Sequence, residues 1–248
     1  MTNKELSENI EEYLEVLYKY GNKKNFVSTS TISKNLKIAP GSVTQMLKKL
    51  EDLGYINYVP YEGANLSTTG FKLAQNITRK HRILEKFLTN ILKIKPENVH
   101  IQACDMEHSL SDEAERAMCH ILNYPDLCPD KKLIPPCAFD FTNCQDCVND
   151  KNDIEEIGVR SANLISISDL YVNEKAEVSF IRGDFNILKQ LLVLGIAIGT
   201  FIEVDEMNKS ENSLDIYANA SKTKLPKNIA NNVFVKIYNC TYREFFRP

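Results

Sequence analysis

The sequence predicts an α+β chain: an N-terminal winged helix-turn-helix, an all-helical dimerisation segment and a small C-terminal β-barrel. Three observations predict it. Apolar residues recur at helical spacing, punctuated by capping residues, as far as residue 122. A hairpin signal interrupts that series near residue 60, and short β segments replace helices from residue 166 on. With 248 residues the chain is long enough for more than one core, and we divide it at 1–68, 69–125, 126–160 and 161–248.

Residues 4–20 carry Leu6, Ile10, Tyr13, Leu14 and Leu17 at helical spacing, and Gly21 stops the run. Ser28 is placed to cap a short helix over 28–36, whose inner face is Ile32 and Leu36. Pro40 and Gly41 open a third helix over 41–53, and Gly54 ends it. Its inner stripe is Val43, Met46, Leu47, Leu50 and Leu53, and its opposite face carries Gly41, Thr44, Gln45 and Lys48. Residues 55–59 read as a strand, Glu62-Gly63 as a turn and 64–67 as the return strand. Helix, turn, amphipathic helix and hairpin in this order make a winged helix-turn-helix. Taken alone, Gln45 and Lys48 could equally be a solvated helix face.

Ser67-Thr68-Thr69-Gly70 then caps a helix to about Lys93, with more apolar positions than one small domain needs, as in a dimerisation element. Pro96 opens another helix to about His108, and Ser111 caps one to Leu122. Residues 125–158 are rich in Pro, Asp, Asn and Cys, lack periodicity and read as a linker with local order. Beyond them, strands are expected at 175–181, 201–207, 213–218 and 232–238, with an amphipathic helix over 184–194.

Composition bounds the function. The polar, acidic start of the chain is no signal peptide, and the longest apolar run, Leu191 to Ile202, is too short to span a bilayer. The expectation is a cytoplasmic protein with no membrane partner. Seven cysteines then point to free thiols or metal ligands rather than disulfides. The net charge is −3, and residues 1–70 hold eight basic and eight acidic side chains. A DNA-binding unit so weakly positive should hold non-specific DNA weakly and need help, such as a bound cation, to reach full affinity.

The chemistry concentrates in VHIQACDMEHSLS at 99–111. On a helix, His100, Cys104, Glu107 and His108 fall within an arc of roughly 100°. His81 and Glu85 share a face of the preceding long helix at spacing i, i+4, and Glu11 and Glu12 lie on the first helix. Imidazole, thiolate and carboxylate together suit Fe²⁺, Mn²⁺, Co²⁺, Ni²⁺ or Zn²⁺. A Cys104/His108 hydrolase is a poor alternative, because a nucleophile and base one turn apart lack a third, orienting group. No enzyme and no small-molecule substrate is expected.

Five segments, EEYLEVLY at 11–18, VTQMLKKLEDLGYI at 43–56, LSTTG at 66–70, RKHRILEKFLT at 79–89 and VHIQACDMEHSLSDEAER at 99–116, resemble the diphtheria-toxin-repressor or iron-dependent-regulator family in order and spacing. The resemblance implies a homodimeric repressor of metal-uptake genes that binds double-stranded operator DNA. It implies a regulatory metal site of Cys104, Glu107 and His108 with a first-helix ligand at Glu12, and an ancillary site of His81, Glu85 and His100. A carboxylate at Glu12 departs from the iron-responsive branch, whereas Cys104 departs from the manganese-responsive one. Fe²⁺ is the expected effector, with Mn²⁺ the alternative. A metal-independent winged-helix regulator is the remaining reading. Ser42, Thr44, Gln45 and Lys48 are the candidates to meet DNA, with Ser28 and Ser30 near phosphates. Gln45 could read adenine through paired hydrogen bonds.

Residues 166–238 resemble the small FeoA-like β-barrel through LKQLLVLGIAIGTFIEV at 188–204, which implies an accessory domain. Between the two regions lie Cys128, Cys137, Cys144 and Cys147. One C-x₂-C pair and two further thiols suit Zn²⁺ or a redox-sensitive iron site, with free thiols the alternative. Cys119 and Cys240 read as structural.

Overall fold

A computed structural model describes residues 8–21, 26–150, 157–208 and 210–236. They fall in two compact units, one ending at Thr78 and one beginning at Arg79.

The first unit contains α1 (Glu8–Tyr20), α2 (Thr29–Leu36), α3 (Pro40–Asp52), β1 (Ile56–Val59), β2 (Gly63–Leu66) and the beginning of α4 (Thr68–Asn90). Residues 4–7 of the expected first helix lie outside the described residues. Ser28 caps α2 by accepting from Thr31 N at 3.2 Å, and Pro40 occupies the first turn of α3, where its missing N–H leaves no bond unmade. Leu53 C-caps α3 and Gly54, at φ +76°, turns the chain into β1. The inward stripes of α1, α2 and α3, including Tyr13, Leu14, Leu17, Ile32, Val43, Leu47 and Leu50, form one core with Ile56, Leu66 and Ala74. β1 and β2 pair antiparallel, and Val27 makes an isolated antiparallel bridge to Ala64 through Val27 N→Ala64 O at 2.8 Å and the reverse bond at 3.0 Å. This is the expected winged helix-turn-helix.

The second unit continues α4 and adds α5 (Pro96–Glu107), α6 (Asp112–Ile121), α7 (Cys144–Asn149) and a sheet. Ser111 caps α6, accepting from Ala114 N at 3.2 Å. The sheet uses β3 (Ile165–Ser166), β4 (Lys175–Ile181), β5 (Phe201–Asn208), β6 (Ser213–Ala218), β7 (Ser221–Pro226) and β8 (Val233–Lys236). All are antiparallel, in the order β3-β8-β4-β5-β6-β7. α8 (Phe185–Val193) starts at Asp184, whose carboxylate accepts from Asn186 N at 2.9 Å and Ile187 N at 3.2 Å. A short α9 (Lys227–Ala230) joins β7 to β8.

Two features depart from the sequence reading. β7 escapes a periodicity search because it is an edge strand, paired with β6 alone, and Leu225 is its one buried residue; its lysines lie on the edge. The segment after Tyr124 is more than a loosely ordered linker. Ile134 and Phe139 are buried, and α7 forms within it, capped by Asn143. Ile181 N bonds Thr142 O at 2.9 Å, tying the segment to β4.

Gly70 has a steric role. A Cβ there would meet Tyr55 O at 1.8 Å, so α4 begins against the backbone of the chain leading into β1. Gly70→Ala should lower stability by roughly 2 kcal/mol or more. Urea unfolding checks this, and an unchanged midpoint would mean that the two backbones do not approach so closely.

Candidate metal centre and nucleic-acid face

The register of α4 against α5 builds the centre. Leu84 and Leu88 of α4 form a core cluster with Val99 and Ala103 of α5. Val99, Ala103 and Glu107 are successive residues of one buried stripe, so the same packing draws a carboxylate into the interior. Glu107 and Glu85 are both buried, and each faces His81. His81 Nδ1 lies 2.5 Å from Glu107 Oε2, and its Nε2 lies 3.1 Å from Glu85 Oε1. Exposed His100 sits at the rim, its Nδ1 3.1 Å from His81 Nε2 and 3.4 Å from Glu85 Oε1. Cys104 Sγ is 4.0 Å from His81 Nδ1 and 3.9 Å from His100 Nε2. His108 Nε2 lies 3.6 Å from Glu107 Oε1.

The residues expected to form two sites thus meet in one cluster. Ligand atoms of His81, His100 and Cys104 lie within 4.8 Å of one another, although the resemblance puts Cys104 in one site and the two histidines in the other. Imidazole, thiol and carboxylate donors converging on buried acids fit a divalent transition ion. Glu12, the expected first-helix ligand, is exposed on α1 in the first unit.

Without a cation these acids are balanced by a proton. Burial opposes the charged His81 ring, but hydrogen bonds with Cys104, Glu107 and Glu85 outweigh it and hold its pKa up to about 12. Burial likewise opposes the Glu85 carboxylate, and the His81 hydrogen bond and charge hold it down to about 2.

The cysteines separate differently from the sequence reading. Cys128 lies beside Glu85, away from Cys137, Cys144 and Cys147. Those three line a cavity with Cys119, which the sequence reading took as structural. Nothing in the spacing marks Cys119, which arrives on α6 from outside the Cys128–Cys147 stretch. Arg79, Arg116, Arg182 and His120 line the same cavity. Burial pushes the Cys144 thiol up to about 12 and that of Cys147 up to about 11. Burial, and then the charge of Arg79, lower the Arg182 guanidinium to about 10. Cys240 lies outside the described residues.

In the first unit, Ser28, Ser30, Thr44 and Lys48 line one concave surface with Tyr58, Pro60 and Tyr61. Ser42 and Gln45 are exposed on α3. The Ser28 hydroxyl is engaged as a cap and lies 2.9 Å from both Ser30 and Thr31 hydroxyls. Tyr61, fully exposed, tips the hairpin. Among the described residues, no helix is long and apolar enough to cross a membrane.

Three family patterns match the chain. The iron-dependent repressor N-terminal DNA-binding domain matches residues 5–64, the iron-dependent repressor metal-binding and dimerisation domain matches 67–136, and the FeoA domain matches 165–237. An uncharacterized HTH-type transcriptional regulator of Methanocaldococcus jannaschii is 40% identical over 109 residues, 44% of this chain and 87% of that protein. The HTH-type transcriptional regulator MntR of Oceanobacillus iheyensis is 31% identical, covering 46% of this chain and 78% of the relative. The diphtheria toxin repressor of Corynebacterium glutamicum is 28% identical over 94% of this chain and 98% of its own length. All three are transcriptional regulators, not enzymes.

A cation entering the α4–α5 cluster must displace the proton that His81 keeps between two carboxylates. Divalent-ion affinity should therefore rise from about pH 6 to about pH 8, with protons released on binding. Calorimetric titration in two buffers of different ionisation enthalpy measures both, and pH-independent affinity without proton release would contradict the geometry.

Proposed function

Since this chain belongs to the iron-dependent repressor family, we propose that it is a homodimeric regulator that binds operator DNA when a divalent transition metal occupies the α4–α5 centre. The observation that carries this reading is the convergence of His81, His100 and Cys104 beside two buried carboxylates. What such an ion supplies when bound is positive charge against Glu85 and Glu107, where the free protein has only a proton.

We assign Cys104, Glu107 and His108 to the regulatory ligand set and His81, Glu85 and His100 to the ancillary set. The ligand from the first helix, which the resemblance puts at Glu12, is part of the proposal and is tested by substitution. The Cys104 thiolate and the imidazoles favour Fe²⁺. A second reading, Mn²⁺, is favoured by the two buried carboxylates, which are hard ligands. Regulation follows if the ligands close around the ion more tightly in the DNA-competent state than in the other, because equal affinity for both states would shift nothing.

A second copy of this chain is the partner we assign to the helical segment. Ile91, Leu92, Ile101, Met106 and Ile121, on and beside α4, α5 and α6, are large apolar side chains left exposed. A two-fold dimer would present two copies of α3 to two half-sites of double-stranded operator DNA. Ser42, Thr44, Gln45 and Lys48 lie on that helix, the first, third and fourth of them exposed, and Ser28 and Ser30 stand beside it near the expected phosphate path. We assign the sheet domain an accessory role, the protein a cytoplasmic location, and metal-uptake genes as the repressed targets.

Fluorescence anisotropy on a promoter fragment, under anaerobic conditions and at fixed salt, tests the reading. Binding should be tight with Fe²⁺ and weak with chelator. Preference for Mn²⁺ would select the second reading, and equal binding with and without metal would reject both. Cys104→Ala and Glu12→Ala should each abolish the metal response while the dimer persists, and a full response in either variant would remove that residue from the set. Gln45→Ala should cost about 1–3 kcal/mol at a single base position. Lys48→Ala should weaken all sequences alike and reduce the salt slope by about one.

A further inference from the structure

We propose that Cys119, Cys137, Cys144 and Cys147 hold a polynuclear iron–sulfur cluster in the cavity that they line. This site shares no ligand with the α4–α5 centre, and it stands or falls independently of that reading.

Three separate segments bring the thiols together. Cys144 and Cys147 stand one turn apart on α7, a spacing that puts both side chains on the same face. Cys137 comes from the extended segment before α7, and Cys119 from the last turn of α6. Cys119, Cys144 and Cys147 are each more than nine-tenths buried, and none of the four is in a disulfide. Four converging free thiols are the ligand set of an iron–sulfur cluster or of structural zinc.

Spacing separates these two. Zn–S bonds of about 2.3 Å place tetrahedral thiolates about 3.8 Å from one another. Among the described residues, the groups of three ligand atoms lying within 4.8 Å of one another include none drawn from these thiols. The space they line is small, about 20 Å³, so the thiol side chains would swing outward as bridging sulfides enter between them.

The surroundings fit an anion. Four thiolates around an iron–sulfur core carry net negative charge, and Arg79, Arg116 and Arg182 line the cavity. Arg79 donates to Cys119 Sγ at 3.2 Å, and His120 Nε2 lies 3.4 Å from Cys147 Sγ. Arg182 is 1% exposed, and its terminal nitrogens donate to the carbonyls of Pro125 and Ile134, at 2.9 and 2.6 Å, rather than to a carboxylate. Its Nε has no hydrogen-bond partner among the described atoms. A buried guanidinium bonded only to carbonyls wants a counter-anion, and N–H groups around cluster sulfurs are a recognised means of tuning them. On assembly, each thiol would release its proton as its Sγ bonds an iron, with Fe²⁺, Fe³⁺ and sulfide the other reactants, so that no net oxidation or reduction is needed. Iron–sulfur status would then be an input to the protein separate from the α4–α5 centre.

The 248-residue chain, reconstituted anaerobically with Fe²⁺, Fe³⁺ and sulfide, tests this. Iron and acid-labile sulfide should be bound in equal amounts, at more than one iron per chain, with a broad visible charge-transfer absorption. Cys137→Ser and Cys144→Ser should each lose the sulfide and the absorption, and Cys128→Ser should keep both. Circular dichroism checks that the variants are folded. If one is not, titration of the parent chain still decides. Binding of a single zinc or iron without sulfide, formation of a disulfide among these cysteines, or sulfide retained in Cys144→Ser would each overturn the proposal.

Discussion

The second unit depends on arginines buried against an aperiodic segment. Between Pro125 and Asn143 the chain has no helix and only isolated β-bridges, which leave several of its carbonyls to other donors, and Pro125, Cys128, Ile134, Pro135, Pro136 and Phe139 are buried. Arg182 donates to Pro125 and Ile134, Arg79 to Pro135, Arg82 to Leu133, and Arg160 to Cys137 and Phe141. Arg116 does the same for Cys147 and Asp150 at the end of α7. A buried carbonyl without a donor is expensive, and a guanidinium offers five donors in one rigid plane. Two of these groups also stack on rings of the sheet core: Arg160 lies 4.7 Å from the Phe180 centroid and Arg182 4.6 Å from that of Phe234. Arg79 adds the buried ion pair with Glu115 at 2.6 Å, which holds α4 to α6. Because the arginines fix this segment, the thiols it carries stand at defined places around one cavity.

The α4–α5 centre illustrates a local conflict held in place by packing. A helix whose inner stripe runs Val99, Ala103, Glu107 buries a carboxylate by the same geometry that buries its apolar residues. His81 relieves the conflict in the free protein by sharing a proton with Glu107 and Glu85. Cys104 and His100 lie one residue further along α5, at the rim, so the donors span a gradient from buried to exposed. An arrangement stabilised by a proton and open to a cation on one side is suited to exchange one for the other.

The winged unit shows how modest the DNA-facing chemistry is. The hairpin offers Tyr58, Pro60 and Tyr61 and no basic residue, and the Ser28 hydroxyl already serves its own helix. On the proposed reading, affinity would rest on α3 and on the pairing of two copies more than on phosphate attraction.

The sequence alone determined helices α1 to α6 and α8, the caps at Ser28 and Ser111, and the proline-led starts at Pro40 and Pro96. It also determined that His81 and Glu85 on one helix, and His100, Cys104 and Glu107 on the next, would share faces. These are properties of single elements, written in spacings of three and four residues. Packing decided what no local period carries. It brought residues of both expected ligand sets close to His81, left Glu12 exposed, and gathered Cys119 with Cys137, Cys144 and Cys147 while placing Cys128 beside Glu85. Each outcome depends on which segments converge in space, and convergence is set by long-range burial and by donors such as Arg79 and Arg182, far along the chain from the groups they hold.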